Sequence, residues 1–227
     1  MKVSRGKSLL ILGVILVIVD QVIKILVKTN MALGDHFNVI GNWFQILFIE
    51  NEGMAFGMKF GGAVGKLLLS LFRVVLCGLL CWWITSLARR GTPRAKGKSA
   101  EKDPVPTGVL VGLTLITAGA FGNIIDCFFY GQLFSASAPG VVASFGGSYA
   151  PLLFGKVVDM FYFPLFTWPD WVPFLGGSIF FDPVFNFADS CVTVGAFYLI
   201  FFQYKFFMTE DGESEKKKTK ESKSSKK

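Results

Sequence analysis

Apolar residues gather into four long segments of this chain, at residues 8–27, 66–88, 107–130 and 188–208. A helix needs about 20 apolar residues to cross the roughly 30 Å hydrocarbon core of a bilayer, and each segment is long enough. The pattern therefore predicts an all-α membrane protein with four transmembrane helices, forming a single domain over residues 1–208.

Between the first two segments the spacing of apolar residues changes. Apolar side chains alternate around Phe44, Ile46 and Phe48, which is typical of short strands. We expect these strands to form a small β element at the membrane surface. A turn at Gly53 should follow. The polar Asn51 lies beside this turn, and packing at the surface alone does not explain well why a polar residue is found there.

Lysine and arginine residues are distributed unevenly around the apolar segments. Seventeen of the 23 lie in the N-terminal tail, in residues 89–106 and from Lys205 onward. The positive-inside rule therefore predicts that both termini and the middle loop are cytoplasmic, which places the β element on the extracytoplasmic face. Residues 209–227 lack apolar periodicity, so we expect a basic, disordered cytoplasmic tail attracted to anionic lipid.

The composition agrees with a membrane class and narrows the choice of partners. Hydrophobic residues make up 52% of the 227 residues and charged residues 17%, with a mean hydropathy of +0.52. A net charge of +7 can indicate nucleic-acid binding. The basic residues instead border helix ends or lie in the tail, so we expect no nucleic-acid partner.

The first segment shares one feature with secretory signal peptides, because basic residues precede its apolar run. The run continues to Val27 without an A-x-A-like cleavage site, however, and contains Asp20, Gln21 and Lys24. We interpret it as an uncleaved first helix. Asp20 and Lys24 lie four residues apart on one face, where they form either a structural ion pair or part of a site.

The third segment ends in a polar face. Gly119 and Gly122 would let a neighbouring backbone approach closely, and Asn123 and Asp126 point toward the same contact. An ionisable side chain within a span costs at least about 2.5 kcal/mol on insertion scales. The two polar residues therefore either hold the bundle together through interhelical hydrogen bonds or belong to a functional site.

Three further polar residues stand in apolar surroundings. Asp159 lies among valine, methionine and phenylalanine residues, so desolvation should disfavour its ionised form. Asn186 and Asp189 lie three residues apart where the fourth segment begins. Helix capping is one explanation, although capping alone would not require two such residues in an apolar stretch.

The inventory of reactive groups leaves carboxylates as the candidates for chemistry. His36 is the only histidine, and the chain has no GxSxG, HExxH, Walker A or GxGxxG motif. Cys77, Cys81, Cys127 and Cys191 lack metal-ligand spacing and are interpreted as small buried apolar residues, so we expect no metal and no cofactor. Two adjacent carboxylates can share one proton and supply both a base and an acid, as in aspartic proteases.

Five short motifs follow one another along the chain. They are DQxxK from Asp20 to Lys24, NxGxAF from Asn51 to Phe56, GNxxD from Gly122 to Asp126, VVD from Val157 to Asp159 and FNxAD from Phe185 to Asp189. Each motif alone is weak. The ordered set, which extends over all four apolar segments, resembles that of lipoprotein signal peptidase, also called signal peptidase II.

The resemblance implies an aspartic endopeptidase of the bacterial inner membrane, with Asp159 and Asp189 as its catalytic dyad. The implied substrate is a prolipoprotein whose cysteine already carries diacylglycerol, cleaved just before that cysteine. We expect a monomer in contact with membrane lipid. The resemblance also implies supporting or substrate-binding roles for Asp20, Lys24, Asn51, Gly53, Asn123, Asp126, Asn186 and Ala188.

Two departures from the family pattern are visible. Cys127 occupies the position after GNxxD where the family usually has arginine, and Lys156 is one candidate to replace that guanidinium. The chain is also longer than familiar members at about 131–156 and 165–183, with additional glycine, serine, proline and aromatic residues.

Two other classes of protein would also place ionisable residues inside a membrane. A small proton-coupled transporter is the principal alternative, and a non-catalytic membrane assembly factor is another. No inverted repeat relates the two halves of the chain, which weakens the transporter hypothesis. Asp170 and Asp182 lie in the longer segments outside the five motifs, and we do not count them as site residues.

Overall fold

The computed structural model describes residues 5–52, 62–89 and 105–208. Its long helices are α1 (Arg5–Asn30), α2 (Gly62–Arg89), α3 (Thr107–Ile125) and α5 (Phe187–Phe202). Helix α3 continues through a π-helical turn, Asp126–Tyr130, into the short helix α4, Gly131–Leu133. The polar end of the third predicted segment therefore coincides with a change of helical pitch.

Among the described residues, three helices are long and apolar enough to cross a membrane: α1, α2 and the continuous run Thr107–Leu133. This confirms the first three predicted spans. Helix α5 has 16 residues, or about 24 Å at 1.5 Å per residue, which is shorter than the hydrocarbon core. The predicted span 188–208 is interrupted because the backbone of Gln203 leaves the helical conformation, with helix resuming over 204–208.

Helix α1 is polar on its buried side and apolar on its exposed side. Asp20, Lys24 and Lys28 are at most 1% exposed, whereas Leu10 is 68% exposed and Ile15 is 52% exposed. In water this arrangement would be unfavourable. It is the arrangement expected when apolar side chains face lipid and the ionisable ones pair inside the bundle.

Helix α3 occupies the centre and packs against α1, α2 and α5. Its glycines permit the close approach predicted from the sequence. A Cβ on Gly119 would lie 2.2 Å from the carbonyl oxygen of Ala188, and one on Gly122 would lie 2.5 Å from Oδ2 of Asp20. Larger residues at either position would push α5 or the Asp20 carboxylate away.

A three-stranded antiparallel sheet covers one end of the bundle, in the order β1 (His36–Ile40), β2 (Phe44–Asn51) and β3 (Val157–Tyr162). The strand prediction around Phe44 to Phe48 is therefore confirmed. The sequence pattern did not predict β3, which carries the VVD motif. Its register with β2 places Asp159 opposite Ile49 and Val157 opposite Asn51.

The longer segments contain their own local structure. A short hairpin of β4 (Phe166–Thr167) and β5 (Ile179–Phe180) extends from the region between β3 and α5. Gly53 and the tail 209–227 lie outside the described residues, so the turn and the disordered tail stay predictions.

The four cysteines differ in burial. Cys77, Cys127 and Cys191 are buried as expected. The prediction for Cys81 is wrong, because it lies on the exposed side of α2 beside Trp82, which is 68% exposed.

Candidate active site

Asp159 lies in the middle of β3 and is buried, with only 4% of its surface exposed. Burial and, to a smaller extent, the nearby charge of Asp189 together raise the pKa of this carboxyl to about 7. Hydrogen bonds from Asn186 and Asn51, together with the more distant charge of Lys24, act in the opposite direction. The expectation that desolvation disfavours ionised Asp159 is therefore confirmed.

Asp189 lies on the first turn of α5 and makes a reciprocal capping box with Asn186. The Asp189 backbone N–H donates to Oδ1 of Asn186 at 2.9 Å, and the Asn186 backbone N–H donates to Oδ2 of Asp189 at 3.3 Å. The capping explanation is thus correct for both residues. It is not the whole explanation, because the same two side chains also contact other polar groups.

Asn186 links the two carboxyl groups. Its amide Nδ2 donates to Oδ1 of Asp159 at 2.7 Å, while its backbone and side chain engage Asp189. The residue is fully buried. Because β3 supplies Asp159 and α5 supplies Asp189, Asn186 ties strand and helix together at the point where the two acids come close.

Asn123 connects this acid pair to the interior of the bundle. Its Nδ2 donates to Oδ1 of Asp189 at 2.8 Å, and its Oδ1 accepts from Nζ of Lys24 at 2.8 Å. The same oxygen also accepts from Nδ2 of Asn186 at 3.1 Å. A continuous hydrogen-bonded path therefore runs from Lys24 on α1, through α3, to Asp189 on α5.

Lys24 lies between two carboxylates. Its Nζ is 3.0 Å from Oδ2 of Asp20 and 2.8 Å from Oδ2 of Asp126, with all three groups buried. The predicted pair of Asp20 and Lys24 is confirmed and extended by Asp126. Gln21 completes the cluster, since its Nε2 donates to Oδ1 of Asp126 at 3.0 Å.

Asp20 and Asp126 also hold backbone groups beside the acid pair. Oδ1 of Asp20 accepts the backbone N–H of Ala188 at 2.9 Å, just before Asp189. Oδ2 of Asp126 accepts the backbone N–H of Val158 at 3.3 Å, just before Asp159. Asp126 thus makes the predicted contacts between elements next to the acid pair, and its site role stays a prediction.

The structure brings together nearly all the residues singled out from the sequence, and it adds others. Asn51 reaches Asp159, whereas Gly53 lies outside the described residues. Tyr130, which no motif indicated, donates from its hydroxyl to Oε1 of Gln21 at 3.1 Å. A tyrosine in an apolar segment gives no sequence signal for such a contact, because it fits a packing role equally well.

The guanidinium beside Cys127 comes from a residue that the sequence did not suggest. Nη1 of Arg73, on α2, lies 3.5 Å from Sγ of Cys127. Lys156 instead directs its Nζ to Oε2 of Glu50 at 3.3 Å. The guanidinium beside Cys127 is therefore that of Arg73, and the suggestion that Lys156 replaces the family arginine stays a prediction.

The remaining candidate groups lie away from the acid pair. His36 is exposed on β1, and Asp170 is exposed in the β4–β5 region. Asp182 is exposed and accepts a hydrogen bond from the Tyr162 hydroxyl at 3.0 Å. Within residues 5–52, 62–89 and 105–208, no group of three or more His, Cys, Asp or Glu side chains could hold a metal ion.

Two carboxyl groups in this arrangement can divide acid and base roles. Burial and the acidic neighbour raise the pKa of Asp159 to about 7, so its protonated and ionised forms are both populated near neutral pH. Both oxygens of Asp189 accept hydrogen bonds from N–H groups, which suits a carboxylate. Such a pair can donate a proton and activate water without a metal.

Comparison with known proteins assigns the chain to a family. The sequence profile of "Signal peptidase (SPase) II" matches residues 12–205, which is most of the chain. The chain belongs to the signal peptidase II family. Members of this family are proteases that cleave signal peptides from prolipoproteins, so the family implies a prolipoprotein substrate and leaves the transporter alternative without support.

Individual relatives agree with this family. The lipoprotein signal peptidase of Porphyromonas gingivalis is 46% identical over 205 residues, covering 88% of this chain and 84% of that protein. The lipoprotein signal peptidase of Amoebophilus asiaticus is 34% identical over 189 residues, covering 81% and 72%. A bacterial membrane enzyme solved in meso at 2.3 Å resolution has a TM-score of 0.52 at 24% identity, over 87% of this chain and 88% of that chain. At that identity, the structural likeness supports the fold alone.

Proposed function

We propose that this signal peptidase II family member is an aspartic endopeptidase in which Asp159 and Asp189 form the catalytic dyad. The observation that carries the proposal is the joining of the buried Asp159 to Asp189 through Asn186. The substrate is a prolipoprotein whose lipobox cysteine carries diacylglycerol. The bond before that cysteine is cleaved, which releases the signal peptide.

In this mechanism the two acids have different roles. The Asp189 carboxylate takes a proton from water, and the resulting nucleophile attacks the scissile carbonyl carbon. Protonated Asp159 donates to the carbonyl oxygen, which gives a neutral tetrahedral diol. The diol then collapses with cleavage of the C–N bond, as protonated Asp189 donates to the leaving amine and ionised Asp159 takes a proton from a diol hydroxyl, which restores the starting pair. No covalent intermediate is required.

The surrounding polar residues position this dyad. Asn123 orients Asp189 and is itself held by Lys24. Asp20 and Asp126 pair with Lys24 and hold backbone groups next to each catalytic acid. The supporting set is Asp20, Lys24, Asn51, Gly53, Asn123, Asp126, Asn186 and Ala188.

The enzyme acts as a single domain over residues 1–208 in the bacterial inner membrane. Helix α5 and the turn that follows it form the fourth span, both termini are cytoplasmic, and the dyad faces the extracytoplasmic side. Two acyl chains on the substrate anchor the precursor at the depth of the dyad, which converts binding energy into positioning. The enzyme works as a monomer in contact with membrane lipid.

Replacement of the dyad tests the catalytic assignment. Asp159→Asn and Asp189→Asn should each reduce cleavage of a lipid-modified precursor by roughly 10²–10⁴-fold or more, because an amide matches the size but cannot exchange the proton. Asp182→Asn is the matched control, since this exposed aspartate should leave the rate unchanged. Near-normal turnover by either dyad variant, with normal membrane insertion, would overturn the assignment.

The lipid requirement is tested separately with the unaltered enzyme. Lipid-modified and unmodified forms of the same precursor are supplied in one bilayer preparation, and the two cleavage rates are compared. We expect cleavage of the modified form only, because the unmodified peptide lacks the two-chain anchor. Equal rates would show that the lipid is not recognised, while leaving the dyad assignment intact.

A further inference from the structure

An exposed aromatic hairpin connects β3 to α5. We define it as residues 165–182, which include β4 and β5. At its tip Trp171 is 81% exposed and Phe174 is fully exposed. Six more large apolar residues of the hairpin are at least 39% exposed: Leu165, Phe166, Leu175, Ile179, Phe180 and Phe181. An apolar surface of this kind marks a contact with another apolar phase or partner.

The aromatic hairpin is built to hold these side chains outward. The Trp168 N–H donates to the carbonyl of Ser178 at 2.9 Å, and the Gly177 N–H donates back to that of Trp168 at 2.9 Å. Phe166 stacks on Phe180 at 4.8 Å between ring centroids. The hydrogen bonds and the stacking close the hairpin, so the exposure of its tip does not result from a lack of local structure.

The root of the aromatic hairpin lies where a membrane helix begins. Phe161 of β3 and Phe185 exchange backbone hydrogen bonds of 2.7 and 3.1 Å, and α5 starts at Phe187. Rings of Phe163 and Phe185 also stack at 5.7 Å. The hairpin is therefore fixed at one end of the apolar helix α5, and the fourth span proposed above puts that end at the interface between bilayer and water.

The chemistry of the aromatic hairpin distinguishes between occupants. Residues 165–182 contain no lysine or arginine, and their only charged residues are Asp170 and Asp182. Asp182 is engaged at the root by Tyr162, away from the tip. Anionic headgroups would have no cation to bind here. Tryptophan and phenylalanine at the end of a membrane helix instead match the boundary between headgroups and acyl chains.

We propose that the aromatic hairpin inserts its tip, Trp171 and Phe174, into the bilayer interface beside α5. The occupant of this surface is the uncharged boundary layer of the membrane itself. Because the root lies within about one helical turn of Asp189, the inserted tip holds that end of α5 and β3 at a constant depth. This inference concerns a surface outside the acid pair and does not depend on the peptidase mechanism.

Fluorescence quenching of the full-length chain in phosphatidylcholine nanodiscs tests the proposal. A variant that keeps Trp171 as its sole tryptophan carries phenylalanine at Trp43, Trp82, Trp83 and Trp168. Phosphatidylcholine brominated at shallow acyl positions should reduce Trp171 emission by about twofold. Aqueous iodide should have little effect. Adding anionic lipid should leave the quenching unchanged, because the hairpin lacks basic residues.

A matched variant keeps Trp168 instead, which packs against Phe166 and Phe180 at the base of the tip. It should be quenched less by brominated lipid than Trp171. Strong iodide quenching of Trp171 without bromolipid quenching would overturn the proposal and would leave a protein partner as the occupant of the surface.

A second label covers the case in which the tryptophan substitutions impair folding. Phe174→Cys combined with Cys81→Ala, in the otherwise native chain, places a nitroxide at the tip. The nitroxide should be more accessible to oxygen than to a water-soluble nickel complex. The reverse order of accessibility would overturn membrane insertion.

Discussion

Lys24 and Lys28 lie one turn apart on α1, and both side chains are fully buried. Their surroundings differ. Lys24 contacts two carboxylates, Asp20 and Asp126, and reaches the acid pair through Asn123. Among the residues that the structure describes, Lys28 has one carboxylate partner, Glu50 on β2. The first lysine therefore belongs to the bundle interior and the second to the junction between bundle and sheet.

The Lys28 cluster contains neutral partners in place of a second acid. Its Nζ donates to the Ser137 hydroxyl at 2.9 Å and lies 5.1 Å from the ring centre of Tyr149 and 5.5 Å from that of Phe134. All three of these neutral partners lie within the longer segment at 131–156. This segment therefore has a structural role, because it encloses a charge that links α1 to β2.

The difference between the clusters determines what each lysine supports. Without Lys24, two buried carboxylates would lose their cation, and Asn123 would lose a donor. Without Lys28, Glu50 would still have Lys156 at 3.3 Å. Loss of a buried charge is most costly when its partners have no substitute. The Lys24 cluster should thus be the more sensitive of the two.

The largest effect is expected from Lys24→Met. Stranding Asp20 and Asp126 should lower the free energy of unfolding by about 3–5 kcal/mol and abolish precursor cleavage. Thermal unfolding in detergent and a cleavage assay measure the two effects. Lys28→Met is the matched comparison on the same helix. Equal or greater damage from that variant would contradict the ranking of the clusters.

Cys127→Arg should be the next most damaging change. The new guanidinium would enter a buried position where the guanidinium of Arg73 already lies. Overpacking and like-charge repulsion should cost about 2–3 kcal/mol and reduce cleavage. Cys127→Ala controls for loss of the thiol. A gain in both thermal stability and activity in the arginine variant would show that the site tolerates the family residue.

Lys28→Met itself should have an intermediate effect, of about 1–2 kcal/mol, because Glu50 keeps Lys156 while the Ser137 hydroxyl loses a partner. Most of the cleavage activity should survive once the protein is folded. Adding Glu50→Gln should recover part of the stability, since it removes a buried charge that Lys156 alone compensates only in part. A double variant less stable than Lys28→Met would contradict this account.

The smallest effect concerns the pH dependence. With protonated Asp159 as the acid, cleavage should decline as the pH rises above about 7. The Asn51 hydrogen bond lowers the pKa of Asp159, so Asn51→Ala should raise it and move this alkaline limb upward. A bond of about 1 kcal/mol corresponds to about 0.7 pH units. Lys28→Met should leave the limb in place, and a downward shift in Asn51→Ala would contradict the assigned roles.

Much of the candidate site was accessible from the sequence, because its polar residues stand in apolar segments. A buried Asp or Lys in a span is costly, so each one indicates a polar partner. The pairing of Asp20 with Lys24 and the capping box of Asn186 with Asp189 follow from spacing along a single helix. These contacts are local, and their geometry depends little on the rest of the fold.

The contacts between distant elements were decided by the tertiary structure. The placement of Asp159 on β3, the pairing of Lys28 with Glu50 and the approach of Arg73 to Cys127 each join residues far apart in the chain. Strand pairing and helix packing set these distances, and a one-dimensional pattern carries no register between elements. The sequence by itself determined which groups must be paired inside the membrane, because an isolated buried charge is unfavourable. Only the packing of α1, α3 and α5 against the sheet decided which partner from another element each group has.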